Sequence, residues 1–319
     1  MIKVAVAGGS GNVATELLRA PASSGLYDIT VFTRKDATND RPETGVSYRK
    51  VDYSSVAHLT EALRGYDVCL SFLVIMSDEA YQAQINLIDA CAAAGVNRFA
   101  PSEWGINNNS GIRSYTNKDR TAAYLSTYNS QVPRLEYTLF QPSVWMDYFA
   151  HPHPLSPNLI TWPFFIDFSS RRAIIFSDEA SNAQPFVITA VSDVSRLLVR
   201  ALQDPRPWPP VSGMRGATTS ISELLRLAQE IRGGDWVIEK IEKEDIEKGV
   251  LKTEWVPQFS HPAVPEEIQE AFSKEFVVEF MRSIIKGAWM VGTEMNERYT
   301  DFQWTGLERY LREAWEGRE

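Results

Sequence analysis

Cysteine is nearly absent from this chain, with two thiols, Cys69 and Cys91, in 319 residues. Both sit among apolar neighbours, one in a strand-like and one in a helix-like stretch. That excludes a disulfide-stapled scaffold and reads as buried free thiols in a reducing compartment. Histidine is also scarce, at four residues. His151 and His153 lie in a proline-flanked loop pattern with no Cys or carboxylate set at ligand spacing, so no metal is expected. No apolar run reaches the ~20 residues a membrane helix needs, and no membrane partner is expected. Positive charge is in deficit, 32 Lys and Arg against 41 Asp and Glu for a net charge of -9. Nucleic acid is therefore a poor partner, because phosphate binding requires a positive surface field. Repeats and low-complexity tracts are missing. The first residues run straight into a strand pattern without the charged and apolar regions of a secretory signal, and the expectation is a cytoplasmic enzyme.

What is present is an alternation of periods. Short apolar runs at 2–7, 29–33, 46–51, 66–73, 98–100 and 135–140 predict six strands. Helical spacing lies between them, through Val13, Leu17 and Leu18, over 57–63, and over 79–94 with Gly95 at the C-cap position. Strands separated by helices at this rhythm imply crossover units and a parallel sheet, so the fold class is α/β, a doubly wound Rossmann-type sheet. After Phe149 the texture breaks on proline and then on a dense aromatic stretch at 162–168. The expected organisation is a dinucleotide-binding domain over 1–150, onto which 186–204 packs back, and a smaller substrate domain over 151–319. In the second half, Ser220-x-x-Glu223 and Thr305-x-x-Glu308 have capping-box spacing. Ile268, Phe272, Phe276 and Phe280 form one stripe of a helix near 265–285.

The sharpest local signal is Gly8-x-x-Gly11-x-x-Ala14 between the first strand and the first helix. Gly8 permits the tight turn, Gly11 lets backbone approach a pyrophosphate, and Ala14 lets helix and strand pack closely. Ser10, Asn12 and Val13 then stand at a helix N-terminus whose free N–H groups face an anion. At the end of the second strand an NAD enzyme usually carries an acid for the ribose hydroxyls. This chain has Thr33-Arg34-Lys35. Two cations suit a 2′-phosphate, so NADPH/NADP+ is the expected cofactor; the plainer alternative is a pair of solvated surface charges, with Asp36 diluting their field.

With these residues in hand, the chain resembles the NmrA-like and isoflavone-reductase-like branch of the atypical short-chain dehydrogenases. The likeness is carried by the Gly8–Ala14 loop, Arg34, Val51-Asp52, Asp67-Val68 and the run Phe99-Ala100-Pro101-Ser102-Glu103-Trp104-Gly105. Lys118, at the position of the family lysine, and 189–194 complete it. The resemblance implies an NADPH-dependent reductase and places Asp52, Phe72, Leu73, Pro142 and Ser143 beside the cofactor. Plant members of the branch reduce phenylpropanoid-type substrates, whereas some fungal relatives bind the dinucleotide without turnover. Two departures stand out. Ser143-Val144-Trp145 replaces the usual Gly-x-Phe, and the ordinary Tyr-x-x-x-Lys pair is absent, since Tyr115 and Lys118 are one residue too close.

Hydride transfer calls for a proton donor beside the nicotinamide. Lys118 is the first candidate, near a helix start whose dipole lowers an ammonium pKa, with ribose binding as its other role. Tyr115 is the second, its pKa expected to be lowered by the lysine, with packing of the loop as its plainer reading. Glu103, at the C-terminal edge of the sheet, is suited to hold an ammonium, to orient a water or to cap a turn. Trp104, Trp145, Tyr148 and Phe149, with the aromatic 162–168 stretch, suggest a roomy apolar pocket. The reading is reduction of a bulky, partly aromatic secondary metabolite carrying a carbonyl, imine, enone or benzylic ether, with reduction coupled to cyclisation as a variant. The alternative is a non-catalytic NADP(H)-binding redox sensor. The oligomeric state is open.

Overall fold

The computed structural model describes residues 1–36, 45–131, 135–261 and 264–318, without the side chains of 129–131. Six strands form a wholly parallel sheet: β1 (Ile2–Ala7), β2 (Tyr27–Thr33), β3 (Val46–Lys50), β4 (Val68–Ser71), β5 (Arg98–Ala100) and β6 (Glu136–Tyr137). Their order is β3-β2-β1-β4-β5-β6. This is the doubly wound arrangement, and the order reverses between β1 and β4, which opens a crevice at the carboxyl ends of those strands. Val4, Ala5, Val6 and Ala7 are fully buried, because helices cover both faces and the strand must be apolar on each. The edge strand β3 is mostly exposed and carries Arg49 and Lys50, which discourage edge-to-edge pairing.

The helix Asp78–Ala94 starts at Ser77, whose hydroxyl accepts the Ala80 N–H, and ends at Gly95 with φ +77°. Only a residue without Cβ takes that left-handed turn cheaply. The strand expected over 135–140 is split: Thr138 N–H still reaches Phe99 O at 3.1 Å. Leu139–Gln141 then pairs in parallel with Val211–Gly213. The second half of the chain thus contributes a strand beside the first half's sheet.

The division at residue 150 is not clean. Ile106, Ile112, Val144, Met146 and Phe149 belong to the core formed mainly by the later residues. Conversely, Val191–Gln203, Trp208, Met214, Met295 and Tyr299 join the core on one face of the sheet. Within that face Ser195 Oγ accepts the Ala20 N–H at 3.0 Å and donates to Leu17 O at 3.1 Å. Ser220 caps its helix as its spacing implies, accepting the Glu223 N–H at 3.2 Å. Thr305 does not cap. Its N–H and hydroxyl both donate at 2.7 Å to the buried Asp193, and Gly306 precedes the helix Leu307–Trp315 instead. A buried carboxylate takes those donors because desolvation without them is far costlier than an uncapped surface turn. The aromatic stripe also differs from its expectation at one end, with Ile268 51% exposed while Phe280 is buried in the helix Gln269–Ile285. Cys69 and Cys91 are buried and unbridged.

Candidate nicotinamide and substrate site

The turn after β1 is shaped by what glycine lacks. Gly8 has φ +71°, and a Cβ there would lie 2.7 Å from the carbonyl carbon and oxygen of Phe72, where β4 ends. Gly9 is equally constrained, since its Cβ would meet Val31 Cγ2 at 2.6 Å; the motif spacing had not assigned it a role. A Cβ on Gly11 would meet only Gly8 O at 3.4 Å. No protein atom demands glycine there, but Ser10, Gly11, Asn12 and Val13 all line a cleft of about 530 Å³. Gly11 is also the N-cap of the following helix, a position glycine often takes. The first bond of the following helix is Thr15 N–H to Gly11 O at 2.9 Å, so the N–H groups of Asn12 and Ala14 precede the intrahelical ladder, as anion binding requires.

Arg34 and Lys35 are exposed where β2 ends, and among the described residues neither forms an ion pair. Asp36, the acid beside them, is drawn off to Lys50 at 2.5 Å. Asp52 stands exposed just past β3. Its Oδ1 accepts from Ser54 N–H (2.9 Å) and Ser54 Oγ (2.7 Å), which hold its carboxyl below the ordinary range.

Lys118 lies in the first turn of the helix Thr116–Gln131, where it lines the cleft. Its Nζ donates to the backbone oxygen of Glu103 and stands 4.5 Å from the centroid of the Tyr115 ring. Burial lowers the lysine's pKa, against the opposing pull of Glu103 and Asp119; desolvation, more than the helix dipole, is the main cause. Glu103 is 1% exposed. Burial pushes its carboxyl up to about 7, with Lys118 and the Asn108 amide acting the other way. Asn108 Nδ2 reaches the two carboxyl oxygens at 3.4 and 3.3 Å, while its own oxygen is held by Gln141 Nε2 at 2.8 Å. Tyr115 departs from expectation. Its phenol is raised by burial and by Glu103, not lowered by the lysine, and its hydroxyl packs where any Cβ on Gly105 would fall, 2.6 Å away.

Beyond Lys118 the cleft meets an inner chamber of about 190 Å³ with a mostly aromatic wall. Trp104, Trp145 and Tyr148 line it; Pro142 and Phe149 line neither space. Phe149 packs edge-on against Phe164 and Phe165 inside the later core. Trp104 takes φ +44°, donates Nε1 to Ser71 O at 2.8 Å, and is stacked between Phe72 (4.6 Å) and Phe140 (5.2 Å). Those contacts hold a non-glycine residue in a sparsely populated backbone region. Ser143 does the same at φ +65°, which explains why a glycine is the usual occupant of that position. Its N–H donates to Gly105 O at 2.8 Å and its hydroxyl to Trp289 O at 2.9 Å.

Sequence reasoning missed the far wall. Phe259, His261, Phe272 and Phe276 face the cleft, and Ser114 and Glu279 join them at the chamber. The available signal was the four-residue spacing of Phe272, Phe276 and Phe280, which reads as core for want of any indication of what it packs on. His151 and His153 are spent locally, on Thr161 Oγ1 at 3.0 Å and on Arg318 at 2.7 Å. Among the described residues no group of His, Cys, Asp and Glu is placed to hold a metal.

A doubly wound sheet with a glycine turn at its switch point, roofed by a later-chain aromatic wall, defines a Rossmann-type nucleotide-binding protein with a second, smaller ligand space. The chain belongs to the NmrA-like family, whose model matches residues 2–311. Among curated relatives, "Oxidoreductase swnN" of Metarhizium robertsii is 26% identical, covering 99% of this chain and 98% of that protein. "Oxidoreductase BOA1" of Botryotinia fuckeliana is 27% identical over 74% and 78%. The "Isoflavone reductase homolog IRL" of Zea mays is 25% identical over 97% of each. Among solved structures, an isoflavone reductase superposes with a TM-score of 0.68 at 18% identity, covering 98% of both chains. AtPrR2 with NADP+ and (+)pinoresinol gives 0.67 at 17%, again over 98% of both. The chain has the fold of these reductases, and the enzymes its sequence resembles are oxidoreductases.

Proposed function

We propose that the protein is an NADPH-dependent reductase of a bulky, partly aromatic secondary metabolite. One observation carries the reading: the cleft runs without interruption from the glycine turn, past Lys118, to the mouth of an aromatic chamber. The turn Ser10–Val13 would cradle the pyrophosphate, with the N–H groups of Asn12 and Ala14 left to donate to it. Arg34 and Lys35 would take the 2′-phosphate, and Phe72, Leu73 and Ser102 would wall the path toward the chamber. When bound, the nicotinamide supplies a hydride.

The chain's own part is to exclude water, orient the acceptor and deliver a proton. The aromatic wall does the first two. Lys118 is the proton donor for a carbonyl, imine, enone or benzylic ether. Its lowered pKa brings the ammonium nearer to matching a developing oxyanion, and Glu103 O fixes the direction of Nζ. Tyr115 positions the lysine by its ring face and is a poorer acid than Lys118 because burial raises it.

The test is to titrate the protein with NADPH and NADH, then follow cofactor oxidation and products over a panel of aromatic ketones, imines, quinones and benzylic ethers. Product formation with NADPH preferred over NADH is expected. Equally tight binding of NADPH and NADP+ with no product from any substrate would replace the enzyme by a redox sensor.

A further inference from the structure

We propose that the inner chamber is built for a cation: the substrate carries an ammonium or iminium nitrogen within an apolar frame, seated among aromatic faces with Glu279 as its counter-charge. The inference rests on the reading of the outer cleft as the cofactor's place, and assigns the remaining space. Three observations support it.

The wall is the first. Tyr148 and Trp162 stand 4.5 Å apart, Trp162 and Phe259 4.2 Å, and Phe280 and Trp289 4.4 Å, all around one small space. Ring faces within about 6 Å of a cation attract it through their quadrupoles, most strongly where water is excluded. Among the described residues the aliphatic side chains on this wall are Ile112 and Val144, so ring faces make up most of it.

The charge on that wall is the second. Among the described residues the chamber's one ionisable acid is Glu279, and no Lys, Arg or His lines it. The Glu279 carboxyl accepts the Arg113 N–H at 2.8 Å but forms no ion pair among the described residues. The guanidinium groups of Arg113 and Arg282 direct their N–H donors elsewhere, although the Arg282 charge still acts on Glu279 from beyond ion-pair distance. Arg113 reaches Glu275 at 3.4 Å, and Arg282 donates to Ile246 O at 3.1 and 3.0 Å. A half-buried carboxylate held by the backbone N–H groups of Arg113 and Ser114, with no cation at ion-pair distance among the described residues, is the arrangement that a cationic guest completes.

The third is the separation of charges along the path. Lys118 lines the cleft, where it donates to Glu103 O and stands over the Tyr115 ring at the border of the chamber, and among the described residues no Lys or Arg side chain lines the chamber itself. The net charge of -9 also favours approach of a cation.

The experiment measures binding, independently of turnover. The full chain is titrated calorimetrically, with and without NADP+, with N-methylisoquinolinium and with a methylnaphthalene, its neutral carbon isostere. The cation is expected to bind at least about fivefold tighter at low salt, the range cation–π and a partly buried counter-charge supply. Glu279→Gln retains the acceptor for the Arg113 N–H and should narrow the ratio by at least about twofold while leaving the neutral probe's affinity unchanged, the remainder being the share of the ring faces. In the unaltered chain, raising salt should narrow the ratio, a readout that does not depend on the variant folding. Equal or weaker binding of the cation at low salt overturns the proposal, as does a ratio that Glu279→Gln leaves intact. Failure of the reductase reading would show separately, as absent NADPH oxidation, whichever probe binds.

Discussion

The two sides of the cleft are made from different material. On the nucleotide side the chain presents backbone: the 8–13 turn, its shape set by Gly8 and Gly9 crossing Phe72 and Val31 too closely for a Cβ. On the substrate side it presents side chains, drawn from Trp104, Trp145, Trp162, Phe259 and Phe276, which are scattered over more than half of the sequence. A backbone site depends on a few residues that cannot be exchanged. A side-chain site depends on volume and ring faces that many combinations supply. The first should therefore fail sharply under single substitutions, and the second gradually and selectively.

The largest effect should come from Gly8→Ala. The clash with Phe72 and the φ of +71° should cost roughly 3 kcal/mol or more, seen as a lower Tm and as lost NADPH binding in the folded fraction. Tolerance of alanine without loss of either would break the comparison. Next is the buried acid at the junction. Glu103 has a folded pKa of about 7, above its unfolded value, so the folded state holds the extra proton between about 4.5 and 7. Its contribution is fully present at low pH and is lost as pH rises through that window, by on the order of 3 kcal/mol. Denaturant titrations should show stability falling over this range in the native chain and a flatter profile in Glu103→Gln.

Lys118→Ala should lower turnover at least about tenfold through lost proton transfer, with a smaller change in NADPH affinity. Unchanged turnover would remove the lysine from the mechanism. Smaller again is Arg34→Ala, expected to weaken NADPH by about fivefold while sparing NADH, since one solvent-exposed phosphate contact is screened. Equal losses for the two cofactors would detach Arg34 from the 2′-phosphate.

Legibility followed the same division. The alternation of strands and helices, the caps at Gly95 and Ser220, and the turn at Gly8 are local matters of period and conformational freedom, and the amino-acid pattern shows them. Thr305 misled because its capping spacing was genuine while the buried Asp193, distant in sequence, claimed its donors. Phe149 as a pocket residue and the expected lowering of the Tyr115 pKa failed for the same reason. Residue type and place in the chain were right for a pocket or an acid, and packing then put the first in the later core and raised the pKa of the second.

By itself, then, the sequence determined a doubly wound sheet with a glycine turn at its switch point and two cations after the second strand. These rest on interactions within a few residues of one another. Only the tertiary structure decided that Gly9 is sterically constrained, that Glu103 is desolvated, and that the helix Gln269–Ile285 closes an aromatic chamber over Lys118 with Glu279 in its wall. Desolvation and enclosure belong to no single segment, because both arise when surfaces far apart in the chain exclude water from the same volume.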